Sequence, residues 1–382
     1  MRRSGRAGLA VVALGLSAAA CGGGGAAKPP TTSTLPPLPP DVIALVTQIG
    51  QGAALGTVSS AYGVDLTGGA ASGSKTFSVG TFPDAIAVTP NGDLALVANY
   101  SSNTVTPIDL TTGKVLAAIA AGEGPAGIAV TPNGKTAYVT DAGTSPLGTT
   151  ITPINLVTRH PLPPITVGAG PQGIAISPDG QTAWVTLAGA VVSGQAGAIG
   201  STVVPVNLAT NHVGTAITVG NAPLAIAVSP DGSTVWVGNS YSGSVTPIST
   251  ATNTAGTPIA VTGAPDAIAV TPNGQTVFVA DQTSSVAKTS NVTAITASSG
   301  VASVPIAVGK GPSSLAITPD GETLWVVCSG AGTLEPLTVS TLKPSPVGAV
   351  AVANGPYAVA LVTKQHALVA KLFNNTTSKK AA

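Results

Sequence analysis

Short apolar runs recur along the chain, each closed by a Pro-Asn/Asp-Gly turn and followed by a second apolar run. Ala85-Ile86-Ala87-Val88 is one such run, Pro90-Asn91-Gly92 closes it, and Leu94–Ala98 follows. Runs this short, built of Ala, Val and Ile, predict inner strands buried on both faces. Proline presets the turn and glycine accepts a positive φ without a Cβ clash, so the two runs form a hairpin. Asn99–Asn103 is polar and reads as a loop. Thr104–Leu110 predicts a third strand, whose Pro107 suits a strand with one unpaired side. Thr111-Thr112-Gly113 turns the chain, and Val115–Ala120 supplies a fourth strand.

The same phrase occurs six times, with its prolines at Pro90, Pro132, Pro178, Pro230, Pro272 and Pro319, at intervals of 42, 46, 52, 42 and 47 residues. Four antiparallel strands in a period of that length predict one blade of a β-propeller. Third-strand phrases recur at Ile108-Asp109-Leu110, Ile154-Asn155-Leu156, Val206-Asn207-Leu208, Ile248-Ser249, Ile295-Thr296 and Leu337-Thr338. An extra one, Val64-Asp65-Leu66, precedes the first turn, and an extra inner strand, Gly355–Ala360, follows the last. The two orphans complete one sheet. The expected fold is therefore all-β: a seven-bladed β-propeller of four-stranded antiparallel blades, the last closed by both termini. Closure removes the open edges that invite aggregation. Ile43–Thr47 and Ala367–Lys371 both resemble a second strand, so one of them is surplus.

Tyr138-Val139-Thr140-Asp141 resembles the motif that names the YVTN-type seven-bladed β-propellers, with Asp for the final Asn. Leu96-Val97-Ala98-Asn99, Trp236-Val237-Gly238-Asn239 and Phe278-Val279-Ala280-Asp281 depart from it further. The resemblance covers about residues 57–370. It implies the fold, and membership of a group that includes surface-layer and periplasmic proteins. It does not imply an activity, because one fold hosts many.

The ends of the chain give an expected address. Arg2, Arg3 and Arg6 form a basic region, and Ala7–Leu16 is apolar but too short to stay in a bilayer. Ser17-Ala18-Ala19-Ala20-Cys21 resembles a bacterial lipobox, with Cys21 as the lipid attachment site. Residues 1–20 read as a signal peptide and 21–41 as a lipid-anchored Gly/Pro/Thr-rich stalk. Residues 42–373 are the propeller, and 374–382 a polar tail. The expected location is extracytoplasmic, anchored to the bacterial cell membrane.

Composition narrows the chemistry. Only 8% of residues are charged and the net charge is +1, with no basic stripe, which argues against nucleic-acid binding. Cys328 is the single cysteine of the globular part, so no internal disulfide forms there, and it reads as a small packed residue. His160, His212 and His366 lack zinc-site spacing, so no metal and no cofactor are expected, and the chain reads as a monomer. Trp184, Trp236 and Trp325 share one repeat position with Tyr138 and Phe278, which points to packing between sheets. Asn99, Asp141, Asn239 and Asp281 share another, where a side chain starts a turn by bonding nearby backbone.

Function is sought where the copies differ. From the last valine of the second strand to the first apolar residue of the third is 8 residues at Val97, Val237 and Val326. It is 12 at Val139, 18 at Val185 and 13 at Val279. All three insertions fall in one loop class, on one face, and insertions so confined mark the binding face of a repeat protein. Asp141, Leu187 and Asp281 are candidate loop contacts there, and Leu187–Thr202 is the longest loop. A second variable column lies just after each connecting proline, at the channel mouth: Asp84, Ala126, Gln172, Leu224, Asp266, Ser313 and Tyr357. Its polar members Asp84, Gln172, Asp266, Ser313 and Tyr357 form a candidate ring for a polar ligand. The favoured expectation is a cell-surface or periplasmic lipoprotein acting as a binding or scaffold module, with an unidentified protein or polar small molecule as partner. The alternative is a propeller enzyme, lactonase-like or lyase-like, with its site at the channel mouth.

Overall fold

The computed structural model describes residues 42–49, 59–66, 74–143, 147–189, 199–282, 290–352 and 355–363. Cys21, the stalk, residues 367–371 and the polar tail lie outside the described residues.

Seven antiparallel sheets are arranged in a ring. Blade 1 runs from the inner strand Pro83–Val88 through Leu94–Asn99 and Thr104–Asp109 to an outer strand in two pieces, Lys114–Val115 and Ile119–Ala120. Blades 2 to 6 repeat this order and begin at Pro125, Pro171, Pro223, Ala264 and Pro312. Blade 7 takes its inner strand, Pro356–Thr363, from the end of the chain. Its other three strands, Val42–Ile49, Ser59–Asp65 and Ser74–Ser78, come from the beginning. Val42–Ile49 is thus the true second strand: Leu45 faces Ala360 on one side and Gly63 on the other. Each inner strand touches the inner strands of both neighbouring blades, so the ring is closed.

The hairpin phrase folds as its chemistry dictates. In blade 2 the Asn133 Oδ1 accepts the Thr131 hydroxyl at 2.8 Å and the Lys135 N–H at 2.9 Å, while Gly134 takes φ +69°. Asp179, Asp231 and Asp320 repeat the arrangement in blades 3, 4 and 6. The phrase is a turn built from its own side chains.

The large residue of the second strand packs between sheets. Trp325 of blade 6 lies in one apolar cluster with Ala44, Val46 and Val359 of blade 7. Phe278 of blade 5 packs with Leu315 and Leu324 of blade 6. Burying each such side chain contributes roughly 2–3 kcal/mol.

The third-strand proline behaves differently from the expectation. That strand is paired on both sides, and the break falls on the outer strand opposite. Pro107 has no N–H to give, so the outer strand can only donate to it, from Leu116 N to Pro107 O at 2.9 Å. Pro153, Pro205, Pro247 and Pro336 accept in the same way. In blade 7 the position is Gly63, and the outer strand Ser74–Ser78 is continuous.

Candidate functional site

Every inner strand carries one extra residue just after its connecting proline. In blade 1, Pro83 faces Asn99 and Ala85 faces Ala98, which leaves Asp84 without an opposite number. The same register shift occurs in the other six blades. A β-bulge frees one residue from the ladder and re-aims its side chain. The variable column of the sequence is thus the bulge column. It is buried rather than solvated: Asp84, Ala126, Leu224, Asp266, Ser313 and Tyr357 are all under one-tenth exposed, and Gln172 is half-buried.

Hydroxyl groups tie these bulges together across blades. The Thr140 hydroxyl accepts the Gly127 N–H at 2.7 Å and donates to the Gln172 carbonyl of the next blade at 2.6 Å. Thr186 repeats this with Gly173 N–H and, at 3.4 Å, the Leu224 carbonyl. Ser313 donates to the Tyr357 carbonyl at 2.7 Å, and Ser314 accepts the Val359 N–H at 3.1 Å. Ser313 therefore spends its hydroxyl on a neighbouring backbone. Asp84 and Tyr357 have partners of their own.

Asp266 is the exception. It is 1% exposed, and neither carboxylate oxygen has a hydrogen-bond partner in bonding geometry. Burial holds its carboxyl well above the ordinary carboxylate range. The charge of Asp281 pushes the same way, and only the Gln282 side chain opposes them. Asp281 is the residue across the ladder from Pro265, one step before Asp266. Its Oδ2 accepts the Thr293 and Thr262 hydroxyls and its Oδ1 is unpartnered. Burial raises it to about 6 against those two hydrogen bonds.

Two of the three insertions lengthen a hairpin. In blades 2 and 3 the hairpin strands lengthen to Thr136–Gly143 with Leu147–Asn155, and Thr182–Gly189 with Ile199–Asn207. The hairpin tips, 144–146, 190–198 and 283–289, lie outside the described residues. Asp141, Leu187 and Asp281 are buried strand residues at the register that Asn99 holds in blade 1, ahead of the inserted residues. Asp141 accepts hydroxyl bonds from Thr150 and Thr152 at 2.8 Å and the Gly122 N–H at 3.0 Å. Asn99 and Asn239 likewise donate to third-strand hydroxyls, Thr106 and Thr246. This column therefore clips the second strand to the third rather than starting a turn.

Cys328 occupies the same column and is fully buried, and burial pushes its thiol far up, with Glu335 adding to it. Among the described residues no three His, Cys, Asp or Glu gather as a metal site. A cavity of about 360 Å³ lies on the opposite face between blades 3 and 4, lined by Asp179, Trp184 and Asp231. Its carboxylates are held low by their own turn hydrogen bonds.

Two neighbours of the bulge column gave no signal as a motif: Phe82 and Tyr100. Phe82 packs on Tyr100 and on Tyr357, with ring centroids 5.8 and 6.0 Å apart. A column-by-column comparison of the blades would have found Phe82, because four other blades have glycine there: Gly124, Gly170, Gly311 and Gly355.

A closed ring of seven antiparallel blades with variable residues at one mouth defines a seven-bladed β-propeller. More particularly, the chain belongs to the lactonase family of seven-bladed β-propellers, which it matches over residues 56–303. No curated protein matches it in sequence. Among solved structures it is similar to hydrazine synthase of Kuenenia stuttgartiensis, with 23% identity and a TM-score of 0.64 over 73% of this chain and 89% of that one. It is also similar to a functionally unknown protein of Desulfotomaculum acetoxidans, with 19% identity and a TM-score of 0.67 over 84% of this chain and 99% of the other. The periplasmic gluconolactonase of Pseudomonas aeruginosa gives 15% identity and the same TM-score of 0.67, again over 84% and 99%. At these identities the likeness concerns the fold.

Proposed function

We propose that the protein is a hydrolase that opens a lactone ring at the bulge-lined mouth, with Asp266 as general base. The observation that carries this is the buried Asp266 carboxylate with two unpartnered oxygens. A fold keeps such a group, at a cost, where it has a use. Membership of the lactonase family supports this alternative over the binding scaffold.

In the proposed step, the Asp266 carboxylate takes a proton from water as the water oxygen attacks the lactone carbonyl. The tetrahedral oxyanion collapses and breaks the ring C–O bond. The proton on Asp266 passes to the leaving alkoxide, and an open hydroxy acid departs. A base whose pKa is raised above the ordinary carboxylate range is a better proton acceptor in the first transfer. Asp281 contributes by raising Asp266 further.

The test is a pH-stat assay against a panel of five- and six-membered lactones. The wild type is expected to hydrolyse at least one, and Asp266→Asn to lose 10²-fold or more in kcat/KM with its fold intact. Hydrolysis undiminished in Asp266→Asn removes Asp266 from the chemistry, and a wild type inert on the whole panel removes the hydrolase reading.

We also propose the lipid-anchored, extracytoplasmic address, on the basis of the lipobox-like residues ending at Cys21. Palmitate labelling that is lost in Cys21→Ala supports it, and equal labelling of both proteins refutes it.

A further inference from the structure

Three of the six hairpin turns place Asn before Gly, at Asn91-Gly92, Asn133-Gly134 and Asn273-Gly274, and all three asparagines are exposed. Asparagine is a chemically labile residue, and most so before glycine. The glycine nitrogen can attack the carbonyl carbon of the asparagine side chain, because no Cβ obstructs its approach. Blades 3, 4 and 6 hold Asp at this position, where Asp179, Asp231 and Asp320 accept the same kinds of hydroxyl and N–H donors. The turn therefore accommodates the acid as well as the amide.

The fold holds the three pairs unequally. In each, the glycine N–H donates at 2.8 Å to a threonine carbonyl, that of Thr89, Thr131 or Thr271, so the turn must open before its nitrogen can attack. In blades 2 and 5 the side chain is pinned as well. Asn133 Oδ1 accepts the Thr131 hydroxyl at 2.8 Å and the Lys135 N–H at 2.9 Å. Asn273 Oδ1 accepts the Thr271 hydroxyl at 2.7 Å and the Gln275 N–H at 3.0 Å. Both threonines are buried, which makes them firm anchors.

Blade 1 lacks this anchor. The Thr89 hydroxyl donates to the Leu94 carbonyl instead, and Asn91 Oδ1 keeps only the Asp93 N–H, at a long 3.3 Å. Asn91 Nδ2 donates to the Asp93 carboxylate at 2.6 Å. That bond joins two side chains at the surface, where water competes for both of them.

We infer that Asn91 is a site of spontaneous deamidation in the folded protein, while Asn133 and Asn273 are protected. Hydroxide takes the proton of the Gly92 N–H. The nitrogen bonds to Asn91 Cγ, and the Cγ–Nδ2 bond breaks as ammonia leaves with a proton from water. Water then opens the cyclic imide at either carbonyl, giving aspartate, or isoaspartate with the main chain routed through the side chain. Each event adds a negative charge beside Asp93 and replaces the amide–carboxylate hydrogen bond with repulsion. None of this depends on the hydrolase reading.

The experiment incubates the full chain in mildly alkaline water enriched in the heavy oxygen isotope, and maps labelled peptides by mass spectrometry. In the native protein Asn91 is expected to take up label about fivefold faster, or more, than Asn133 and Asn273, the ratio that the loss of one anchoring hydrogen bond sets. In denaturant the three sites should react at similar rates, because no turn remains to distinguish them. Equal native rates, a slower Asn91, or no labelled product at Asn91 overturns the inference. A preference for Asn91 that persists undiminished in denaturant overturns it too, by assigning the difference to local sequence and not to the fold.

Discussion

The hydroxyl of Thr140 in blade 2 donates to the backbone carbonyl of Gln172 in blade 3 at 2.6 Å, while accepting the Gly127 N–H of its own blade. One small side chain thus satisfies a bulge and joins two sheets. Gly127 is part of the device: a Cβ there would come within 2.4 Å of the Gln172 carbonyl oxygen.

Thr140→Val keeps the shape and removes both hydrogen bonds at a fully buried position. Leaving the Gly127 N–H and the Gln172 carbonyl unsatisfied should cost about 2–4 kcal/mol. Urea unfolding measures it, and a loss below about 0.5 kcal/mol would show that the stitch contributes little.

Asp266→Asn removes a buried carboxyl whose ionised form is disfavoured by burial, without changing side-chain volume. At pH 7 the variant should be more stable than wild type, although it is expected to be inactive. A melting temperature lowered by the substitution would mean that Asp266 is satisfied in the folded protein.

Asp281 fixes the sign of a pH dependence. Its folded pKa is raised to about 6, so the folded state holds a proton that the unfolded state releases first. Stability from this group is therefore undiminished below the unfolded value of about 4 and is lost as pH rises to about 6, by up to about 3 kcal/mol. Asp266, whose folded pKa is also raised, acts in the same direction. Urea midpoints between pH 4 and pH 7 should fall in wild type and fall less in Asp281→Asn. Parallel curves for the two proteins would remove Asp281 as the cause.

Cys328 should resist alkylation in the folded state, being fully buried with its thiol pushed up. Iodoacetamide at pH 8 is expected to label it only in denaturant. Rapid labelling of the native protein would contradict the burial.

Closure of the ring depends on Val42–Ile49, every residue of which is buried between Ser59–Asp65 and Pro356–Thr363. A chain starting at residue 41 should fold, and one starting at residue 50 should aggregate, because it leaves two unpaired edges. Light scattering of the two truncations decides this, and a monomeric second truncation would overturn the expectation.

The blades are written in local sequence. Alternation of short apolar runs with Pro-Asx-Gly turns is local chemistry, and it repeats, so strand identity, blade number and the closing of blade 7 by both termini were all legible. Which residues leave the ladder, and what they then meet, depends on how the blades pair and pack. The variable column after each proline was visible, but its being a bulge depends on pairing with a strand ten or more residues away. Asp141, Leu187 and Asp281 read as loop contacts because an insertion looks the same whether it loops out or lengthens a hairpin. The structure puts them inside the second strand, at the register of Asn99 in blade 1 and ahead of the inserted residues. Asp266 and Asp84 are alike in sequence, yet only the fold leaves both Asp266 oxygens without a hydrogen bond in bonding geometry. Phe82, Tyr100 and Tyr357 come together only because the first and last parts of the chain share a seam. A repeat is written in local sequence. A site on a ring is made by closure, which joins residues hundreds of positions apart, and no local pattern encodes that contact.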